Sequence, residues 1–227
     1  MRRDVTEIRT METTKKIPTS LYAEMTPNPA AMKFVADRAL ITGGLQVEYR
    51  SKSEAMGSSA LAEELFNFPF VTSVFISGNY VTVLKDESLG WEMIVQQLRE
   101  YIREWLMENE VAVSAIPADL VNRTREAAEG NDISAKANAS SIDYTNFEAT
   151  EYDDEIRFLL HEYVRPAVES DGGAIDFMAY RDKKVYVQLK GSCSGCPSST
   201  ATLKGGIENL LKAKMPDIVE EVVAESV

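Results

Sequence analysis

The sequence predicts an α/β protein of the α+β kind: two small domains, each a short, mostly antiparallel sheet packed by helices, joined by a polar linker. Apolar runs of strand length alternate with polar residues in two separate regions. Each region also carries helix-length segments whose apolar residues recur every three or four positions. The stretch between them has neither pattern.

The first region spans 20–108. LYAEM (21–25) reads as a strand and TPNP (26–29) as a turn, followed by AMKFVAD (31–37) with Met32, Phe34 and Ala36 on one side. Gly43-Gly44 and the polar run SKSEAMGSS (51–59) separate these from ALAEELFNF. There Leu61, Leu65 and Phe66 suit a short amphipathic helix capped by Ser58 or Ser59. FVTSVFISG and NYVTVLKD form a hairpin through Ser77-Gly78-Asn79. A longer helix over 90–108 follows from the spacing of Trp91, Ile94, Val95, Leu98, Tyr101, Ile102, Trp105 and Leu106, which also assigns Tyr101 and Trp105 to the core.

Residues 109–150 are rich in small and polar side chains and read as a flexible linker, with a short helix near 118–128. The second region, 151–227, opens with EIRFLLHEYVRPAV. Ile156, Leu159, Leu160, Tyr163 and Val164 share a helical face there, and Pro166 ends or disturbs the helix. DGG (171–173) is a turn. AIDFMAY and KVYVQLK make a hairpin across RDKK, and Leu203, Ile207, Leu210 and Leu211 mark another helix. Ile218, Val219, Val222 and Val223 close the domain as an edge strand. The predicted order is helix, strand, strand, helix, strand.

Acidic residues outnumber basic ones 36 to 24, for a formal net charge of -12. That balance disfavours nucleic acid and anionic lipid as partners, since both select positive surfaces. No run approaches the length of a membrane span, and the first twenty residues lack the apolar segment of a secretory signal. A cytoplasmic setting is the expectation from these features. Asp4 and Glu7 interrupt any basic leader pattern in the same direction.

The chain has 2 cysteines, and both lie in GSCSGCPSST (191–200). Cys193 and Cys196 sit between a strongly alternating strand and a helix that Pro197 is suited to begin. Unpaired amides and the helix dipole at such a junction favour thiolate. Three chemistries use the spacing. A dithiol redox pair would work at a helix N-terminus, but no β-α-β framework or aromatic residue precedes Cys193 here. A zinc site needs two further ligands. His161 is the 1 histidine, on an amphipathic helix, where it reads as a partly buried or surface helical residue and not a ligand. Two copies of the loop across a two-fold axis supply four thiolates, the soft set that iron–sulfur clusters take. The ligand count does not separate [4Fe–4S] from [2Fe–2S]. No carboxylate pair, nucleophilic triad or phosphate loop supplies a competing enzyme mechanism.

RPAVESDGGAIDF (165–177), VYVQLKGSCSGCPSSTATLKGGIENLL (185–211) and MPDIVEEV (215–222) together resemble the NifU-like C-terminal domain of the Nfu iron–sulfur scaffold family. TPNPAAMKF, SSALAEELFNFPFVTSVFISGNYVTVLKD and the Trp91 helix are similar to the N-terminal domain of that family, a module associated with recognition of partners. The resemblance implies that Cys193 and Cys196 are the cluster ligands. Gly172, Gly173, Gly191, Gly195, Pro197, Thr202 and Leu203 would then shape the turns and helix around them. It further implies no enzymatic activity and a homodimer bridged by one cluster, commonly [4Fe–4S] with [2Fe–2S] the alternative. Upstream assembly proteins would load the cluster, and apo iron–sulfur proteins would receive it. A dithiol–disulfide oxidoreductase and a cluster-free interaction adaptor are the alternative functions.

Overall fold

The computed structural model describes residues 16–116, 149–194 and 197–226. The helix expected near 118–128 lies outside them. The elements form two α+β units, in agreement with the predicted class.

The first unit is a five-stranded antiparallel sheet in the order β1-β2-β5-β4-β3. Its strands are β1 (Leu21–Met25), β2 (Ala31–Ala36), β3 (Gln46–Tyr49), β4 (Val71–Ser77) and β5 (Tyr80–Lys85), with helices α1 (Lys52–Ala55), α2 (Ala60–Leu65) and α3 (Trp91–Glu108). The β4–β5 hairpin turns where expected, with Gly78 at φ 50°, a left-handed conformation that costs glycine little. Ser59, not Ser58, caps α2 through the Ala62 amide (3.1 Å). Ser58 instead bonds the Tyr49 hydroxyl (2.6 Å) and donates to the Ala115 carbonyl (2.6 Å). β3 and α1 went unread in the sequence, because QVEY is only four residues long and α1 occupies the polar run taken as a spacer.

Alternation sorts this sheet into two faces. Met32, Phe34, Val47, Tyr49, Val74, Ile76, Val81 and Val83 point into a core closed by Leu61, Leu65 and the α3 residues Ile94, Leu98, Ile102 and Leu106. Tyr101 and Trp105 pack at the margin of that core. Residues 109–116, placed in the linker by sequence, run back along this unit. Ala112 is buried there and donates its amide to the Leu40 carbonyl at 3.0 Å.

The second unit carries a three-stranded sheet in the order β6-β7-β8, from β6 (Gly173–Arg181), β7 (Lys184–Gly191) and β8 (Glu221–Ser226). β6 and β7 are antiparallel around Asp182 and Lys183, both at positive φ. β8 lies at the edge as predicted and runs parallel to β7, after the crossover through α6 (Pro197–Lys214). Pro166 does not end the preceding helix. α4 (Asp153–Leu159) widens into a π-helical segment (Leu160–Val164) and continues as α5 (Arg165–Ser170), with Pro166 in its first turn. The wider turn removes the demand for the amide that proline lacks. Tyr163, assigned to the apolar face by its spacing, is half exposed as a result of the altered phase. Ile156, Val168, Val187, Leu189, Ile207 and Leu211 make the core of this unit.

The other face of the first sheet is also covered. Lys33, Val35, Glu48, Ser73, Phe75, Tyr80 and Thr82 are all buried, against the β6–β7 end of the second unit. Among the described residues no helix is long and apolar enough to cross a membrane.

Close to this contact, Lys190 Nζ meets Asp176 Oδ2 at 2.5 Å, with the two side chains 6% and 1% exposed. Removing Asp176 takes from Lys190 its nearest counter-ion inside the protein. Asp176→Ala should therefore lower unfolding free energy by about 3–5 kcal/mol in urea titrations, far more than loss of an exposed pair.

Candidate functional site

β7 delivers Cys193 to the loop and α6 receives the chain after it. Gly191, the last residue of β7, sits at φ 61°, which turns the strand sharply. Ser194 then folds back on it, its amide at 3.0 Å and its hydroxyl at 2.8 Å from the Gly191 carbonyl. Thr200 Oγ1 on α6 donates to the Cys193 carbonyl at 3.3 Å and ties the loop to the helix. Pro197 opens α6 as the sequence predicts.

The DGG turn is the floor of this loop. Ser192 donates its hydroxyl to the Asp171 carbonyl (2.5 Å) and its amide to the Gly172 carbonyl (3.3 Å). Gly172 holds φ 80°. A Cβ at position 173 would lie 2.6 Å from Cys193 Sγ and 2.7 Å from the Lys190 carbonyl oxygen. The glycines therefore let two backbone segments and one sulfur share a space that has no room for a methyl group.

Cys193 is 7% exposed. Burial pushes its thiol up to about 11, Asp171 adds to the effect, and the Ser192 hydroxyl at 3.8 Å opposes it only in part. The helix end and loop amides alone would favour thiolate at this junction. In this arrangement desolvation exceeds what the loop donors return, and the sulfur is held as a thiol. Cys196 and Gly195 lie outside the described residues. His161 is exposed on the π segment, consistent with a surface residue. Leu203 is half-buried against the second core, while Thr202 is exposed on α6. Among the described residues, no three His, Cys, Asp or Glu side chains gather into a metal site.

Sequence reasoning missed the residues that hold the loop from outside. Asn28, read only as part of a turn, donates through Nδ2 to the Ser192 (2.9 Å) and Ser194 (3.0 Å) carbonyls. Glu48 accepts the Gly191 amide at 3.2 Å and the Ser73 hydroxyl at 3.1 Å. Burial raises the Glu48 carboxyl above its ordinary 4.5, although Arg50, both hydrogen bonds and Lys190 oppose the shift. A polar residue on alternate positions of a strand ordinarily means solvent, so periodicity carried no signal for these roles.

Comparison with known proteins agrees with this division. Residues 156–223 match the NifU-like domain, and residues 21–109 match the scaffold protein Nfu/NifU N-terminal domain. The NFU1 iron–sulfur cluster scaffold homolog, mitochondrial, of Drosophila virilis is 32% identical over 208 residues, covering 89% of this chain and 61% of that protein. Its counterpart from Drosophila sechellia is 33% identical over 212 residues, covering 91% of this chain and 66% of that protein. The chain thus spans less than two thirds of the length of these relatives. The relatives are named as mitochondrial proteins, which corrects the expectation of a cytoplasmic setting drawn from composition and the leader. A NifU-like protein from Saccharomyces cerevisiae aligns in structure with a TM-score of 0.38 at 24% identity, over 50% of this chain and 98% of that one, a likeness too partial to carry weight.

Two outcomes follow from the geometry. Gly173→Ala forces the loop and the Cys193 sulfur apart and should cost about 1–3 kcal/mol in denaturant unfolding. For Glu48 the folded state binds the proton more tightly than the unfolded state. Its ionisation is therefore a cost that is absent below 4.5 and grows as pH rises through the elevated folded value. Glu48→Gln should raise thermal stability at neutral pH, with the gain shrinking as pH falls toward 4.5. A gain that grows in acid would reverse this assignment.

With both of its domains matched in family order, the chain belongs to the Nfu/NifU-like iron–sulfur scaffold family.

Proposed function

We propose that the protein is an iron–sulfur cluster scaffold and carrier, with the cluster as its cargo. Cys193 and Cys196 of each of two chains would provide the four thiolates. The observation that carries this reading is the placement of both cysteines of the chain between β7 and the first turn of α6, an 18-residue helix. A single chain presents half of a four-sulfur ligand set, and a two-fold axis completes it with an identical half. The cube [4Fe–4S] with four thiolates carries net negative charge, which the positive end of α6 would offset in each chain.

Delivery then needs only ligand exchange. A thiolate of the acceptor protein forms an Fe–S bond as one Fe–S bond to Cys193 or Cys196 breaks. The released thiolate takes up a proton from solvent, and repetition moves the cluster with no net electron transfer. This is carrier chemistry, and it asks for labile sulfur ligands in place of a catalytic triad or acid–base pair. The first unit is assigned to recognition of assembly partners and acceptor proteins, and residues between the units to the connection.

Anaerobic reconstitution followed by gel filtration, iron and sulfide analysis and Mössbauer spectroscopy tests the reading. The expected product is a dimer with one cluster per pair of chains and a [4Fe–4S] spectrum. Cys193→Ser or Cys196→Ser should abolish the cluster with little change in far-ultraviolet circular dichroism. A cluster on a monomer, or one that survives both substitutions, would contradict it.

A further inference from the structure

We propose that the outer face of the first sheet is a receptor for the chain's own cysteine loop, and that this docking closes the chain against a second copy and against cargo. The proposal rests on the reading of that loop as the cluster site.

The contact is made mostly by side chains of one unit on main-chain atoms of the other, with Gln46 Nε2 donating to Asp176 Oδ1 (3.2 Å) between side chains. Lys33 Nζ on β2 donates to the carbonyls of Glu169 (3.2 Å) and Ser170 (3.0 Å), at the end of α5. Thr82 Oγ1 on β5 donates to the Gly172 carbonyl at 2.7 Å, and the Tyr80 hydroxyl to the Gly173 carbonyl at 3.3 Å. Asn28 takes the carbonyls of Ser192 and Ser194, and Glu48 takes the amide of Gly191. Each of these main-chain partners belongs to the DGG turn, the end of the helix before it, or the cysteine loop. The sheet therefore reads chiefly the path of this backbone, and Asp176 is the side chain it bonds as well.

Shape agrees with polarity. Val35, Phe75 and Tyr80 close around Ala174. A Cβ on Gly191 would lie 2.9 Å from Phe75 Cδ1, and one on Gly172 2.9 Å from Thr82 Oγ1. Phe75 and Thr82 are 0% exposed, a degree of burial reached in the interior of a protein and not at a loose domain contact. Ser192, Cys193 and Ser194 are 2%, 7% and 5% exposed.

Covered this way, the described part of the loop does not present Cys193 to a second copy. Docking on the sheet and sharing a cluster are therefore alternatives for the same residues. By linkage, whatever weakens one strengthens the other by the same factor. The receptor and its ligand are on one chain, so docking wins by effective concentration until cargo or a partner offsets it.

Lys33→Met and Thr82→Val keep volume and delete donors, and neither residue belongs to the cysteine loop. In a Cys196→Ser background, Cys193 alone reports access. Iodoacetamide should modify it slowly in the folded chain, and about ten-fold faster in each donor variant, the change expected when one hydrogen bond of the closed form is lost. Tyr80→Phe, which removes a single hydroxyl, provides the same readout if a donor variant fails to melt cooperatively. With both cysteines present, the donor variants should take up cluster faster than the parent chain. Equal alkylation rates in parent and variants, or a parent rate equal to that in urea, would overturn the docking proposal even where clusters load. Faster alkylation with no cluster in any chain would support docking and reject the scaffold reading.

Discussion

The structure depends on the burial of polar groups between two sheets. An antiparallel sheet commonly gives one face to a core and the other to water. Here the second face of the five-stranded sheet carries Lys33, Glu48, Ser73 and Thr82, and all are buried. Such groups cost free energy unless each finds a partner. Ser73 finds Glu48 on the same sheet, and the partners of the others are the carbonyls and amide of the end of α5, the turn and the loop around Cys193. Few other surfaces of the chain could meet this need, because a tight glycine turn exposes main-chain atoms that ordinary side chains would cover.

The same turn explains why the cysteine loop and DGG act together. Gly172 and Gly173 let the β7 end pass close enough for Ser192 to bond Asp171 and Gly172, while Gly191 reverses the strand just before the sulfur. Compactness on one side thus creates a flat, hydrogen-bonding surface on the other. Cys193 packs in the core of its own unit beside Gly173, and that burial is why its ionisation is suppressed despite the helix that follows. Ligation of a metal cluster asks for the opposite condition.

Much of this was legible in the sequence. The spacing of Ile94, Leu98, Ile102 and Leu106 gave α3 and its buried face, and the alternation in FVTSVFISG and KVYVQLK gave the hairpins around which both units form. Short or atypical elements were not legible. β3 and α1 are each four residues long, too brief for a period to emerge. Pro166 broke the expected pattern, but a π segment absorbed the missing amide, a solution that depends on packing and not on local propensity. At the site, the cysteine spacing and the flanking Gly191 and Pro197 marked the loop and its helix. Lys33, Glu48 and Thr82 gave no such mark, because polar residues on alternate strand positions look the same whether they meet water or another domain, and Asn28 looked like any residue of a turn.

The claim that one loop serves two exclusive partners can be tested on the sheet side, away from the sulfur chemistry. The Lys33 side chain is 11% exposed beneath the second unit. Acylation footprinting by mass spectrometry should find Lys33 protected in the apo chain relative to the exposed Lys52. After reconstitution, Lys33 should become as reactive as Lys52, because the loop has left the sheet. Protection of Lys33 that is unchanged in the fully cluster-loaded dimer would show that both contacts coexist, and would contradict the account.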